Sequence, residues 1–549
     1  MNGFPKHGFP KRIAKRWRSV GLRQDRRRNS WMLFALVCAI GAWAGSEVQE
    51  ASMVQADEPQ HRLGTQALAT VDGQARPAVV EISGERIDEL KQAGDRLADQ
   101  GDYQVALEKY TLAYQGVVSR IRGQAFVHDV APSIFNREQL GREMLKLIDE
   151  EYTPDELALM DQSYKVFGFV SPQLDTTALM TRMLTEEVAG FYDPKHKRMV
   201  LIVEDGPVKP PSFLGSLLGA KAAFDKDEQK TTLAHELTHA LQDQLYGLDA
   251  MQESIKGDDD MSLAFSALVE GDATLLMFVE MDGEHDVTHM DPVAMRATFN
   301  IMSWMLPLAG GKTYRSAPAI FRDSLVFPYF QGMLFVLAVA GEGGWEAVHE
   351  VYSNPPLSTE QILHPDKYLR NVDLPQQVSL PDVSDVLADD WQRLGGNCLG
   401  ELQTRILLKR VPGGSVAAAG WDGDRYDVYR NSQGNLALVY ASVWDSPRDA
   451  EEFESAYRRY RQPRDPVPTT PKTTAEPAAA AKHPQPTTEP AQGADSENSV
   501  FASDTQSQIV LRGDKVFIVE GFTEPLAAQI LQRLEKCQYV EKEFPQRKP

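Results

Sequence analysis

Residues 231–245 read TTLAHELTHALQDQL and place His235, Glu236 and His239 in the pattern H-E-x-x-H. On a helix, side chains four positions apart project from the same face, so both imidazoles can bind one metal ion. The Glu236 carboxylate stands beside them and can accept a proton from a metal-bound water. The pattern predicts a metal-binding helix with Glu236 as the general base. The alternative is a chance match on an ordinary helix, which a third ligand would exclude.

A second segment carries the candidate for that third ligand. Residues 261–281, MSLAFSALVEGDATLLMFVEM, are apolar almost all round yet hold Glu270 and Asp272 at their centre. Burying a carboxylate without compensation is costly, so each of them needs a metal or a cation nearby. Two imidazoles, one carboxylate and a water form a known catalytic zinc site, so we predict that His235, His239 and Glu270 bind Zn²⁺. The alternative for Glu270 is a salt bridge with a basic residue.

Other polar residues are candidates for supporting roles. A ligand histidine usually donates its other N–H to a carboxylate or carbonyl, and Asp243, Asp272 and Thr274 are candidates for orienting a ligand in this way. Tyr329 and His364 are polar groups in tightly packed surroundings, and each is a candidate for stabilising the oxyanion of a tetrahedral intermediate. The alternative for both is a structural role.

Length, composition and charge limit the classes of protein to which the chain can belong. The chain has 549 residues, 42% of them apolar, which suits about three or four domains of ~150 residues. The formal net charge is −21 although residues 1–30 carry ten Lys or Arg and one Asp. The remainder is strongly acidic, so we expect no binding to nucleic acid. Beyond residue 44 the cysteines are Cys398 and Cys537, which form one disulfide or stay as two thiols.

The N-terminus has the composition of an export signal. A short apolar run, WMLFALVCAIG at 31–41, follows the basic residues, and AWA at 42–44 supplies the small residues that cleavage requires. We predict a signal peptide at 1–44, or alternatively an uncleaved anchor that tethers the protein to a membrane. Either one predicts an exported protein that is periplasmic, envelope-associated or secreted. Residues 45–80 are polar and aperiodic, which predicts a flexible spacer.

The first folded unit is predicted at residues 81–125. Apolar residues recur at helical spacing on both sides of the turn QGDY at 100–103. The segment resembles one tetratricopeptide hairpin, and a single copy cannot form a solenoid. We expect it to pack on the neighbouring domain; binding of a protein partner is the alternative.

Residues 126–380 are predicted to form the domain around the metal-binding helix. Within it, residues 187–204 are expected to form two strands joined by a tight turn. The second strand, 199–203, is a candidate edge strand that would hold an extended substrate by main-chain hydrogen bonds. The alternative is a core strand without substrate contact.

From residue 381 onward the pattern predicts a small α+β domain. The predicted strands are 400–408, the segment AAAGWDGDRYDVYRN at 417–431, residues 436–444 and two short strands within 508–520. The predicted helices are 449–460 and 524–536. Residues 462–499 are rich in Pro, Thr and Ala, which predicts a disordered insertion between the two parts of the domain, 381–461 and 500–540.

Together these features resemble the gluzincin class of zinc metallopeptidases, of which the thermolysin-like members are the nearest comparison. HELTHA followed by a helix with a downstream glutamate matches that class, although V-E-G-D-A-T stands where thermolysin has N-E-x-x-S-D. More closely, HALQDQ, VEGDAT and PPLSTEQILHP resemble an uncharacterised group of exported bacterial HExxH proteins over residues 135–460. The resemblance implies an α+β protein with a mainly helical, zincin-like catalytic domain and a small edge sheet.

Two hypotheses of function follow from these observations. The first is an exported zinc metallopeptidase that hydrolyses peptide or protein substrates through a zinc-activated water, with Glu236 as base. The second is an envelope scaffold that binds partners and whose metal site is structural or inactive. Coordination separates them, because a structural zinc site is closed by four protein ligands whereas a catalytic site keeps a water.

Overall fold

The computed structural model describes residues 69–71, 74–76, 82–187, 190–202, 226–283, 286–297, 312–387, 390–462, 500–501, 505 and 507–545. The predicted signal at 1–44 lies outside these residues, as does the predicted insertion at 462–499 apart from its first residue. Within the predicted spacer, the described residues form a short antiparallel ribbon. The fold is α+β, as expected from the sequence.

Helices make up most of the structure. In chain order they are α1 (Gly84–Asp99), α2 (Tyr103–Arg122), α3 (Arg137–Glu151), α4 (Pro154–Phe167), α5 (Thr176–Glu187), α6 (Lys226–Tyr246), α7 (Leu248–Ser254), α8 (Asp259–Asp282), α9 (Lys312–Ser316), α10 (Ala319–Val351), α11 (Thr359–Leu363), α12 (Asp366–Leu369), α13 (Gly400–Leu408), α14 (Gly414–Ala417), α15 (Pro447–Arg461) and α16 (Glu524–Leu534). The H-E-x-x-H residues lie on α6, and Glu270 lies on α8.

The strands form small, separate sheets. They are β1 (Ala69–Val71), β2 (Gln74–Arg76), β3 (Pro132–Phe135), β4 (Gly190–Asp193), β5 (Arg198–Ile202), β6 (Gln376–Ser379), β7 (Trp391–Asn397), β8 (Trp421–Asn431), β9 (Leu436–Trp444), β10 (Gln508–Arg512), β11 (Lys515–Glu520) and β12 (Gln538–Glu541). The sheet orders are β1-β2, β3-β5-β4, β6-β12 and β10-β11-β9-β8-β7.

The predicted N-terminal hairpin is present as α1 and α2. Its turn contains Gly101 in the left-handed region at φ 82°. The two helices approach closely at Gly94, where an added Cβ would lie 2.4 Å from the Tyr110 ring. The buried residues of the hairpin belong to the same hydrophobic cluster as those of α6, α8 and α10. The hairpin therefore packs on the neighbouring helices, as expected, and shares their core.

The crossing of α8 and α10 forms the centre of that core. A Cβ added to Gly271 on α8 would lie 2.1 Å from the backbone of Gly332 on α10, and a Cβ added to Gly332 would lie 2.0 Å from the Ala267 carbonyl oxygen. Glycine is therefore required on both helices, because any side chain would force them apart. The crossing lies directly beside Glu270.

Two of the described helices, α8 and α10, are long and apolar enough to cross a membrane by length and composition alone. Within their most apolar windows, 94% of the residues of α8 and 72% of those of α10 are buried inside the fold. A helix that is apolar all round suits the interior of a large domain. Here both helices form the protein core.

The prediction that 199–203 is an edge strand is wrong. Strand β5 lies in the middle of its sheet, with β3 parallel on one side and β4 antiparallel on the other. Strand β3 lies more than sixty positions upstream of β5, and no local sequence pattern predicts that these two strands pair. Strand β4 is an edge of this sheet, and it is the strand that packs beside α6.

The C-terminal domain is a five-stranded antiparallel sheet with helices on both faces. One face packs on α15, α13 and the end of α4, and the other packs on α16 and β6. The prediction of a strand at 400–408 is wrong, because this segment is α13 and the edge strand is instead β7. A nine-residue segment of mixed polar and apolar residues suits either structure, and packing decides between them. Cys398 and Cys537 are both free thiols.

The first turn of α8 is held by three consecutive aspartates, two of which bind residues of the C-terminal part of the chain while the third binds α11. Asp258 caps the helix and binds the Lys542 ammonium at 2.7 Å, Asp259 accepts from the Asn397 amide at 2.5 Å, and Asp260 accepts from the Thr359 N–H at 3.1 Å. Lys542 is only 5% exposed. The helix that carries Glu270 is thus held at one end by the C-terminal domain.

Replacing Gly332 by Ala should reduce the free energy of unfolding by about 1–3 kcal/mol, because the added methyl group overpacks the α8–α10 crossing. Urea denaturation measures this change. The matched control is Gly341→Ala on the same helix, where no atom lies within 4 Å of an added Cβ. The control should be neutral or up to about 1 kcal/mol more stable. Equal stability of the two variants would contradict the close crossing.

Candidate metal centre

The H-E-x-x-H residues project into the protein interior from the middle of α6. His235, Glu236 and His239 are 6%, 2% and 1% exposed, respectively. On nearly the opposite side of the helix, Leu233, Leu237 and Leu241 are also buried. A helix that buries apolar side chains on one side and polar side chains on the other has to be surrounded by other elements. Helix α6 accordingly packs against α2, α8 and β4.

The two imidazoles meet Glu270, which projects from α8 and is fully buried. The Nε2 atoms of His235 and His239 lie 3.1 Å apart, and they lie 3.2 and 3.4 Å, respectively, from Glu270 Oε2. A tetrahedral zinc ion with bonds of about 2.0–2.2 Å needs ligand atoms about 3.3–3.6 Å apart. The three atoms are therefore spaced as ligands of one small metal ion would be.

Two carboxylate oxygens at the cluster also favour a cation. Glu270 Oε1 and Glu236 Oε2 are buried, and the described residues offer neither of them a hydrogen-bond donor. A buried polar atom without a partner costs free energy, and a metal ion or the water on it would supply the missing interaction. The residues present thus fit a zinc ion that keeps a coordination position for water.

The ionisation of the four groups agrees with this interpretation. Burial raises the pKa of Glu236 to about 8, with His239 opposing and Glu270 adding to the shift. Burial lowers the pKa of His235, whereas at His239 the nearby Glu270 charge outweighs burial and raises the pKa to about 9. Burial is likewise outweighed at Glu270, whose pKa falls below its usual range because of His239. His239 and Glu270 therefore stabilise each other's charged forms in the interior.

Glu236 is held by the neighbouring sheet. The backbone N–H of Tyr192 in β4 faces the Glu236 carboxylate and opposes the rise in its pKa. The Tyr192 hydroxyl in turn donates to Asp243 Oδ2 at 2.8 Å, and the Lys197 ammonium binds the same carboxylate at 2.9 Å. These bonds fix β4 against α6, so that the edge strand lies directly beside the candidate general base.

The tautomer of His239 is determined by Gln242, one turn further along α6. The Gln242 amide nitrogen donates to the Val269 carbonyl at 3.0 Å and to Asp272 Oδ2 at 2.9 Å. Both partners are acceptors, so the Gln242 oxygen, 2.9 Å from His239 Nδ1, must face the ring. Nδ1 therefore carries a hydrogen, and Nε2 is the nitrogen that faces Glu270 and His235.

Asp272 supports the site through Gln242 and does not contact a histidine directly. Its other partners are Arg122 at the end of α2, with which it forms a fully buried ion pair, and the Tyr352 hydroxyl at 2.9 Å. Tyr352 reaches it because α10 is interrupted by Gly344, which has a φ of 66°. Gln242, Arg122 and Tyr352 were not predicted. The H-x-x-Q spacing was a usable signal for Gln242 alone.

The predictions for Asp243 and Thr274 as orienting residues do not match their positions. Asp243 instead binds the Tyr192 hydroxyl, the Lys197 ammonium and the Leu248 N–H. Thr274 lies one turn beyond Glu270 on α8, and its buried hydroxyl has no hydrogen-bond partner among the described residues. Neither residue is placed to fix an imidazole.

Of the two oxyanion candidates, the structure brings only Tyr329 to the cluster. Its ring lies 6.0 Å from that of His235, with the two planes 26° apart, and the residue is 2% exposed. His364 instead lies 3.0 Å from the buried Glu401, at the packing contact between α11 and α13. The prediction for His364 is corrected on this ground, because its imidazole is used in a separate hydrogen bond with Glu401.

Glu360, Asp373 and Asp445 form a second acidic group with ligand-like spacing. The Lys367 ammonium lies between them, at 2.7 Å from Glu360, 2.7 Å from Asp373 and 2.5 Å from Asp445. The lysine supplies the positive charge that this group requires. His235, His239 and Glu270 are therefore the better candidate for a metal site among the described residues.

Comparison with known proteins adds information about the C-terminal domain. A family model described as Domain of unknown function (DUF8575) matches residues 392–531, which run from β7 into α16. No curated protein and no solved structure is significantly similar to the chain.

Replacing Gln242 by Met should weaken zinc binding about 10- to 100-fold, because Nδ1 of His239 loses the acceptor that fixes its tautomer. Competition with a chromophoric chelator measures the affinity. Gln244→Met is the matched control: it lies on the same helix and loses hydrogen bonds to residues 127 and 128, but does not touch His239. Equal zinc affinity in both variants would remove Gln242 from this role.

Proposed function

We propose that this protein is a zinc-dependent metallopeptidase of the gluzincin type. The observation that carries the proposal is the convergence of His235, His239 and Glu270, whose ligand atoms lie 3.1–3.4 Å apart with Glu236 alongside. Several features of the fold support it. An H-E-x-x-H helix lies beside an edge strand, and the downstream glutamate comes from a second buried helix, as the resemblance to gluzincins implies.

A zinc ion at this position would supply a Lewis acid and lower the pKa of a water molecule. Glu236 would accept a proton from the attacking water as the C–O bond forms, and would then pass it to the leaving amine as the C–N bond breaks. His239 keeps its proton on Nδ1, where Gln242 holds it. Tyr329, beside His235, is the candidate that stabilises the oxyanion. Strand β4 is the candidate that binds an extended peptide.

The number of protein ligands argues for a catalytic site over a structural one. Among the described residues, the cluster consists of two histidines and one glutamate. A structural zinc site would be closed by a fourth protein ligand. We therefore favour the metallopeptidase over the envelope scaffold. We also propose export to the periplasm, envelope or medium, on the basis of the signal-like residues 1–44.

The purified protein should contain about one zinc ion per chain, and the double variant His235→Ala, His239→Ala should contain none, because two of the three ligands are removed. Elemental analysis after dialysis measures the content. His364→Ala is the control, since His364 pairs with Glu401 away from the cluster. The proposal fails if the wild type holds no stoichiometric zinc, or if the double variant holds as much as the wild type.

Glu236→Gln should keep its zinc and lose about 10²- to 10⁴-fold in the rate of peptide hydrolysis, because the amide cannot take the proton of water. The assay is cleavage of a peptide library with and without a chelator. Glu253→Gln serves as control, since Glu253 is exposed and pairs with Lys256. Hydrolysis at the wild-type rate by the zinc-loaded Glu236→Gln protein would assign the base to another residue.

A further inference from the structure

Arg122 is a buried cation at the point where the N-terminal hairpin meets the metal centre. It is the last residue of α2, and its side chain is 2% exposed. Its ion-pair partner, Asp272 on α8, is fully buried. An arginine is rarely buried without a specific partner, so the contacts it makes indicate why it is there.

The guanidinium connects three helices of the catalytic region. It binds Asp272 of α8, lies within hydrogen-bonding reach of the Tyr246 hydroxyl at the end of α6, and covers the Trp345 ring of α10 at 4.9 Å. The Tyr246 ring stacks on that of Tyr352 at 3.9 Å, and Tyr352 donates to Asp272. Arg122 thus lies at the centre of a closed network of buried aromatic and polar groups.

From this network a directed series of hydrogen bonds leads to the metal ligand. Arginine only donates, so it occupies Oδ1 of Asp272 as donor and leaves Oδ2 to accept from Gln242 and Tyr352. Gln242 must then present its oxygen to His239 Nδ1, as described above. Each bond fixes the direction of the next, and the series ends at the orientation and tautomer of the His239 ring.

We propose that Arg122 is a positioning residue for the metal centre. Through Arg122, the N-terminal hairpin contributes to the orientation of His239 in the zinc site. The inference rests on the proposed function, since it concerns how the chain prepares His239 for zinc. It assigns to residues 81–125 a role other than partner binding. Its consequence is that a change in the hairpin alters metal affinity without touching a ligand.

The test compares three substitutions that differ in what they leave behind. Arg122→Met removes the guanidinium and strands the Asp272 charge. Arg122→Met with Asp272→Leu removes both charges, so that no buried ion is left unpaired, yet Gln242 still loses one of its two acceptors, Asp272 Oδ2, and keeps the Val269 carbonyl. Arg122→Lys keeps a donor-only cation at the same place. Lys230→Met is the control, because it breaks a different ion pair between the hairpin and α6, with Asp95.

Three measurements separate positioning from simple stability. They are the zinc affinity by chelator competition, the visible spectrum of the Co²⁺-substituted protein, and the melting temperature of the metal-free protein. The double variant should melt close to the wild type, bind zinc about 10- to 100-fold more weakly and show an altered Co²⁺ spectrum. Arg122→Met should bind zinc as weakly where it folds, Arg122→Lys should recover part of the affinity, and Lys230→Met should match the wild type.

The proposal is overturned if the folded double variant binds zinc within about two-fold of the wild type and gives the wild-type Co²⁺ spectrum. A loss of zinc affinity equal to that in Lys230→Met would also overturn it, because any loosening of the hairpin would then suffice. Failure of the proposed function is recognised separately, since the wild type itself would then bind no zinc. In that case the role assigned to Arg122 falls with it.

Discussion

The burial of two carboxylates on one apolar helix is the constraint on which the rest of the structure depends. Four consecutive residues of α8, 269–272, each have a separate contact. The Val269 carbonyl accepts from Gln242, Glu270 meets the two histidines, Gly271 lies against α10, and Asp272 binds Arg122. A carboxylate inside a protein has to be compensated, so three other helices converge on this one turn.

This convergence explains why the helices around the site cannot be separated into independent units. The hairpin supplies the cation for Asp272, α6 supplies the imidazoles for Glu270, and the segment of α10 after Gly344 supplies the tyrosine and tryptophan that enclose the ion pair. A buried ion pair contributes little to stability by itself, because desolvation offsets the attraction. The Arg122–Asp272 pair instead determines how the neighbouring side chains are oriented, because each donor or acceptor leaves its neighbour one hydrogen-bonding arrangement.

The sequence predicted the part of the site that depends on local spacing. His235 and His239 share a helix face by geometry alone, and a glutamate in the middle of an apolar helix had to have a partner. The role of Gln242 was harder to predict from the sequence, because it depends on acceptors 27 and 30 positions away. Arg122 lies 150 positions from Asp272 and follows no periodic pattern that would mark it.

Errors in the fold have the same physical origin. Strand β5 lies in the middle of its sheet because β3, a segment far upstream, pairs with it in parallel. Segment 400–408 is short and mixes polar with apolar residues, and its neighbours in space favour a helix. Asp243 lies one turn after His239, where we expected a carboxylate that orients the imidazole. It instead binds Tyr192 of β4 and Lys197 of the turn between β4 and β5. The partner that a polar side chain binds therefore depends on residues that are distant in sequence and close in the fold.

The pairing of Asp258 with Lys542 has a consequence for biosynthesis. The first turn of α8 receives its buried ammonium partner from a residue 284 positions later in the chain. While the ribosome has not yet passed residue 542, the cap of the helix that bears Glu270 stays without that counter-charge. Completion of this core therefore waits for the synthesis of residue 542, and a nascent chain carries the H-E-x-x-H helix before the cap of the Glu270 helix has its counter-charge.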